Sequence, residues 1–216
     1  MQIAIALFDR FTALDAVGPY EVLSRIPGAQ VDFVAAEPGV YATDTRMLKL
    51  SVERSYADVP SPEILVFPGG VGTRALMHDE PTLEWVQKVH ATSRYTTSVC
   101  TGALVLGAAG ILDGLDATTH WVSRPLLAEL GARPVERRVV EQGKVFTAAG
   151  VSAGIDMALT LADRLAGPQV AQAIQLGIEY DPQPPFDAGS PEKAPQEIVD
   201  TVLAFERAEA EEVGVG

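Results

Sequence analysis

Short apolar runs alternate along this chain with longer helix-like segments, and that alternation limits the available folds more than any other feature. Ile3 to Phe8, Val31 to Ala36, Ile64 to Phe67 and Tyr95 to Val99 read as strands; Ala16 to Ile26, Pro81 to Ala91 and Gly102 to Gly110 read as helices between and after them. Near-continuous apolar strands must be buried on both faces, so the rhythm predicts an α/β domain with a doubly wound, mostly parallel sheet and helices on both sides. Further strands are expected at Ala117 to His120, Val135 to Glu141 and Lys144 to Ala148, with Gln142 and Gly143 as a hairpin turn between the last two. Helices should follow at Val122 to Leu130, Ala153 to Leu165 and Pro168 to Leu176. With 216 residues, 47% of them hydrophobic, the chain can bury one substantial core.

The α/β body is expected over residues 1–180, and residues 181–216 form an appendage. Pro182, Pro184, Pro185, Pro191 and Pro195 exclude a regular helix or central strand there, leaving a stiff, extended connector. Beyond it, Ile198, Val199, Val202, Leu203 and Phe205 share one helical face, which suggests a last helix docking on the body or on a second subunit. Glu206, Glu209, Glu211 and Glu212 then lead into a tail expected to fray.

Charge narrows the partners. A net charge of -13 and an isoelectric point near 4.6 oppose nucleic acid and anionic membranes, because phosphate binding needs clustered Lys and Arg. No apolar run approaches the roughly 20 residues that span a bilayer, and Gln2 to Leu7 follow no basic leader, so a cytoplasmic protein is expected. One cysteine excludes an internal disulfide and multi-cysteine zinc sites, and three scattered histidines lack ligand spacing, so no metal is expected.

That cysteine, Cys100, stands where the strand ending at Val99 must turn into the helix beginning near Gly102. Unpaired N–H groups and the positive helix end there favour thiolate over thiol, which would make it a nucleophile; a buried cysteine can also be a small hydrophobe. Asp15 follows the first strand and precedes Gly18 and Pro19, as either a helix N-cap or an acid beside the thiol. Pro68, Gly69, Gly70, Val71 and Gly72 follow another strand; they are either a turn or a loop that aims N–H groups at an anionic intermediate. In a doubly wound sheet these loops share the carboxyl-end rim where ligands bind. Thr101 is read equally as a helix-starting residue or a hydroxyl in the pocket. His78 and His90 read as surface residues, His120 as a buried residue bonded to backbone, and Trp121 as a packing anchor.

Pro68-Gly69-Gly70, the elbow from Ser98 to Gly102, Ala117-Thr118-Thr119-His120-Trp121 and the segment Ala149 to Asp156 resemble the ThiJ/PfpI superfamily, whose fold is shared with class I glutamine amidotransferases. Within it, Leu14 to Pro19, Val99 to Gly102 and Glu179 to Phe186 look most like the isocyanide (isonitrile) hydratase branch. The resemblance implies a flavodoxin-like sheet, a homodimer, no cofactor and a small-molecule substrate. The implied reaction is hydration of an organic isocyanide to an N-substituted formamide, a hydro-lyase activity. By position it makes Cys100 the nucleophile, Asp15 the acid and base, and Thr101 an orienting neighbour. Gly69, Gly70 and Val71 would bind the intermediate, and small apolar substituents would suit the pocket. Peptidase-like members carry His directly after the cysteine, where this chain has Thr101, and stress-protective members carry Glu on the first loop, where it has Asp15. The alternative is a redox-sensing or regulatory domain, as in AraC-type regulators, although this chain carries no basic DNA-reading module.

Overall fold

A computed structural model describes residues 1–212, with side chains through Ala208. The elements in chain order are β1 (Gln2–Ala6), α1 (Ala13–Leu23), β2 (Gln30–Ala35), β3 (Gly39–Ala42), β4 (Lys49–Val52), β5 (Arg54–Ser55), β6 (Ile64–Phe67), α2 (Thr73–Leu76), α3 (Glu80–Thr92) and β7 (Tyr95–Val99). There follow α4 (Gly102–Ala108), β8 (Asp116–Ala117), α5 (Arg124–Glu129), β9 (Arg133–Pro134), β10 (Val139–Gln142), β11 (Val145–Ala148), α6 (Ala153–Ala166), α7 (Pro168–Gly177) and α8 (Gln196–Glu212).

Seven strands form the central sheet in the order β10-β11-β7-β6-β1-β2-β5. Every pairing is parallel except β10 with β11, so this is the mostly parallel, flavodoxin-like sheet expected from the alternation. Residues Ile3 to Ala6, Ile64 to Phe67 and Thr96 to Val99 are buried, as strands covered on both faces must be. Helix α6 packs against α1 and α7, and α4 against α3 and α5. After β1 the chain builds β2 and β5 on one side, then returns to lay β6 on the other side of β1, with Ile5 opposite Val66. That reversal opens a crevice at the carboxyl ends of β1 and β6, next to the end of β7.

Four local features differ from the sequence reading. A hairpin, β3 with β4, is additional to the expected elements; both strands are largely exposed. The strand expected through His120 stops at Ala117, where β8 and β9 pair over two residues, because Thr118 and Thr119 turn away to other partners. β10 begins at Val139 rather than Val135. Finally α1 spans Ala13–Leu23 rather than Ala16 to Ile26, and carries Asp15 as well as Gly18 and Pro19 inside it. Pro19 has no N–H for the Asp15 carbonyl four residues back. Thr12, not Asp15, is the residue at the cap position.

Residues 181–195 carry neither helix nor strand, and α8 follows them. Ile198, Val199 and Val202 of α8 face Trp121 and Ala194 across a small cavity, while Phe205 stays exposed. The tail beyond Glu212 lies outside the described residues.

Candidate active site

At the end of β7 the backbone of Cys100 takes φ = 54°, the left-handed region that a side-chain-bearing residue enters at a cost of about 1–3 kcal/mol. The turn is held from both ends. The Cys100 N–H donates to the carbonyls of Ala148 (3.1 Å) and Ala149 (3.0 Å), and Thr119 Oγ1 donates to the Cys100 carbonyl at 2.8 Å. At Gly102 a Cβ would stand 2.1 Å from the Phe67 carbonyl oxygen and 2.7 Å from that of Pro68. Only glycine lets α4 begin that close to the loop after β6.

Asp15 is the third residue of α1 and is fully buried. Its Oδ2 accepts from the Gly69 N–H at 2.9 Å, and its Oδ1 has no protein partner among the described residues. A Cβ built on Gly69 would meet Thr101 N at 2.6 Å, Asp15 Oδ2 at 2.7 Å and Cys100 Cβ at 2.8 Å, so three pieces of the site converge on the space this glycine leaves empty. Burial pushes the Asp15 carboxyl from 3.8 up to about 7; the Gly69 N–H and the nearby Cys100 thiol pull it down, and Asp44 adds to the rise.

The thiol departs from expectation. Burial first, then Asp15, push the Cys100 thiol well above its ordinary value, against the lowering pull of the Val151 and Thr101 amides. The N–H groups foreseen at the helix start are present, but desolvation outweighs them. With both groups raised, the pair keeps at least one proton at neutral pH, and Asp15 and Cys100 act as one coupled acid.

The glycine loop also works differently from expectation. The Gly69 N–H is taken by Asp15, and the Gly70 N–H by Thr101 Oγ1 at 2.9 Å; that hydroxyl in turn lies 3.1 Å from the Gly70 carbonyl as its donor. Neither glycine amide is free for an intermediate. Val71, next along, lines the pocket, and its N–H has no acceptor among the described residues. Thr101 fastens the loop to the elbow.

Cys100, Thr101, Gly70 and Val71 open onto a cavity of about 180 Å³. Asp15 stands behind Cys100 and does not border it. Its walls are not apolar, as expected for small alkyl substituents. Thr12, Asp44, Arg74, His120 and Glu206 face it beside only two valines, Val71 and Val151. Thr12 Oγ1 donates to Asp44 Oδ2 at 2.9 Å. His120 is half-buried between this cavity and a larger one of about 650 Å³, rather than buried and bonded to backbone. Burial and Arg124 lower its pKa, which keeps the ring neutral. Trp121 lies beside it, ring centres 5.9 Å apart, and lines the larger cavity. His78 is exposed or nearly so, and His90, expected at the surface, is partly buried with Nδ1 2.9 Å from Thr96 Oγ1.

Val151, Arg74, Asp44 and Glu206 are site residues that the sequence reading misses. Val151 has a signal: Ala149 to Ser152 repeat the strand-to-helix turn seen at Cys100, and Val151 too has positive φ, 31°. Arg74, on a helix of four residues, and Glu206, in an acidic run, have none. Among the described residues no group of three or more His, Cys, Asp or Glu could hold a metal ion, and no helix is long and apolar enough to cross a membrane.

Comparison with known proteins adds a frame for this geometry. The DJ-1/PfpI family profile matches residues 1–164. An isonitrile hydratase from Pseudomonas putida is 48% identical over 200 residues, which cover 93% of this chain and 87% of that one. The crystal structure of a THiJ/PfpI family protein from Pseudomonas syringae superposes with a TM-score of 0.93 at 36% identity, covering 97% of this chain and 87% of that one. Drosophila melanogaster DJ-1beta superposes with a TM-score of 0.77 at 20% identity, over 84% of this chain and 98% of its own, and shares the fold.

Proposed function

Because the chain belongs to the DJ-1/PfpI family and closely resembles an isonitrile hydratase, we propose that it hydrates an organic isocyanide to the N-substituted formamide, with Cys100 as nucleophile and Asp15 as acid and base. The single observation that supports this most is the buried carboxyl beside the elbow thiol, both raised by burial so that they hold a proton between them.

The steps balance with that one proton. The terminal isocyanide carbon takes the proton of the Asp15–Cys100 pair and bonds to the Cys100 sulfur, giving a thioimidate and leaving Asp15 ionised. The C–N triple bond becomes a double bond. Water then adds to the thioimidate carbon as its proton passes through Asp15 to nitrogen. Collapse of the tetrahedral adduct breaks the C–S bond, forms the formamide carbonyl and returns the hydroxyl proton to the pair. Val71, which lines the cavity and whose N–H has no acceptor among the described residues, would supply the donor for charge developing on oxygen, and Thr101 holds the loop that carries it. Substrate positioning supplies the rest of the rate.

The test is formamide release from a panel of alkyl and aryl isocyanides. Cys100→Ala should be inactive, and Asp15→Asn should lose about 10²–10⁴-fold in kcat. Turnover by the wild type no faster than by Cys100→Ala across the panel would end the hydratase reading. A redox sensor is disfavoured by a thiol that is only 5% exposed and held protonated. We also propose a cytoplasmic homodimer. Exposed Leu14 and Tyr20 on α1 and Leu176 on α7 supply apolar surface for a second copy, and light scattering measures its mass.

A further inference from the structure

Two charged side chains from distant parts of the chain line the cavity onto which Cys100 opens. Arg74 comes from α2, inside the segment matched by the family profile; Glu206 comes from α8, beyond it. Arg74 is anchored, its Nη2 donating to Ser123 Oγ at 3.2 Å. Glu206 is half-buried and makes no hydrogen bond or ion pair among the described residues. The two attract each other across the space, and burial disfavours the charge of each, yet no ion pair joins them among the described residues. A partly desolvated guanidinium and a partly desolvated carboxylate thus line the same small cavity without a direct ion pair between them among the described residues.

The cavity's volume of about 180 Å³ equals about six waters. A substrate filling it expels that water. An alkyl substituent would leave the guanidinium and the carboxylate stripped of solvent with nothing in return, which is costly for buried charge. A hydroxyl or primary carboxamide both accepts and donates, so it can take a hydrogen bond from Arg74 and give one to Glu206. Asp44 lines the same cavity, with its Oδ2 accepting from Thr12 Oγ1 and its Oδ1 from the Thr45 N–H.

We propose that Arg74 and Glu206 form a substituent-recognition subsite in the cavity they share with Cys100, selecting isocyanides whose substituent carries a neutral group able to donate and accept, such as a hydroxyl. The inference rests on the hydratase reading for its reaction, but the subsite itself is a binding claim. Helix α8 is then part of the substrate pocket rather than a packing appendage.

The experiment compares hydroxypropyl isocyanide with butyl isocyanide, which match in heavy atoms. The wild type should favour the hydroxylated compound by about tenfold or more in kcat/KM. Arg74→Met and Glu206→Leu should each bring that ratio toward one, while Glu206→Gln, which keeps an acceptor, should retain part of it. Mere structural damage would depress both substrates together and leave the ratio intact. A wild type without preference, or a ratio that survives both apolar variants, overturns the proposal. A second readout needs no turnover: protection against thermal unfolding by hydroxypropylformamide and by butylformamide, read as a rise in Tm. Better protection by the former, lost in the variants, upholds the subsite even if no isocyanide is hydrated. Equal protection refutes it.

Discussion

Replacing Asp15 with Asn tests the electrostatic core of the site through stability alone. The folded protein holds a proton on Asp15 up to about pH 7, whereas the unfolded chain releases it near 3.8. Between these values the folded state binds more protons than the unfolded state, so the contribution of this group to stability falls as pH rises through that window. Above it, both states are ionised and the folded state carries the whole burden of a buried carboxylate. Moving a carboxyl from 3.8 to about 7 corresponds to about 4 kcal/mol. The substituted side chain does not titrate; its carbonyl can still accept from the Gly69 N–H while its amide fills the place of the partnerless Oδ1. The stability of Asp15→Asn relative to wild type should therefore climb by about 4 kcal/mol between about pH 4 and pH 8, with most of the change complete near pH 7. Equilibrium urea unfolding followed by the fluorescence of Trp85 and Trp121 measures it at each pH. Other carboxylates titrate alike in both proteins and cancel in the difference. A difference that stays flat across the range would show that Asp15 ionises as freely as a surface acid, and the shared-proton account of the Cys100 pair would fall with it.

Three substitutions probe the backbone that frames this pair. In Gly69→Ala the new methyl presses on Asp15 Oδ2, Cys100 Cβ and the Thr101 N–H, so isocyanide turnover should drop about 100-fold, measured as kcat with the fold checked by circular dichroism. Gly102→Ala drives a methyl against two backbone carbonyls that cannot easily retreat, and the urea midpoint should report a loss of about 3 kcal/mol. Thr101→Val conserves shape but removes the hydroxyl that pairs with both the N–H and the carbonyl of Gly70, at a cost of about 1–2 kcal/mol; equal stability would mean that water replaces it.

What can be read from the residues follows from where the information is local. β6 and β7 fall at Ile64–Phe67 and Tyr95–Val99 as expected, because a continuous apolar run in the first and a run rich in β-formers in the second leave little choice. The β3–β4 hairpin is hard to see because its strands, with Lys49 and Ser51 among exposed positions, bury too little to leave an apolar pattern. The start of α1 is misleading because Gly18 and Pro19 look like a beginning, yet small buried residues on either side carry the helix through them. Cys100 and Asp15 are legible as chemistry-bearing residues at strand ends. The raised thiol is not, since desolvation depends on everything packed around the sulfur. Arg74 and Glu206 are invisible for the same reason: more than half the chain separates them, and only tertiary packing puts them on one cavity.

The order of strands across the sheet also bears on how the molecule is made. β1 is made well before β6, yet it lies inside the sheet and gains its second neighbour only when Ile64 arrives to pair with Ile3. The hollow around Cys100 needs β7, then the Val151 amide, and finally α8, which carries Glu206. A nascent chain therefore carries its nucleophile through the whole stretch from Cys100 to Glu206 without all the walls that enclose it, and the reactive pocket is complete only after the α/β body around it has been made.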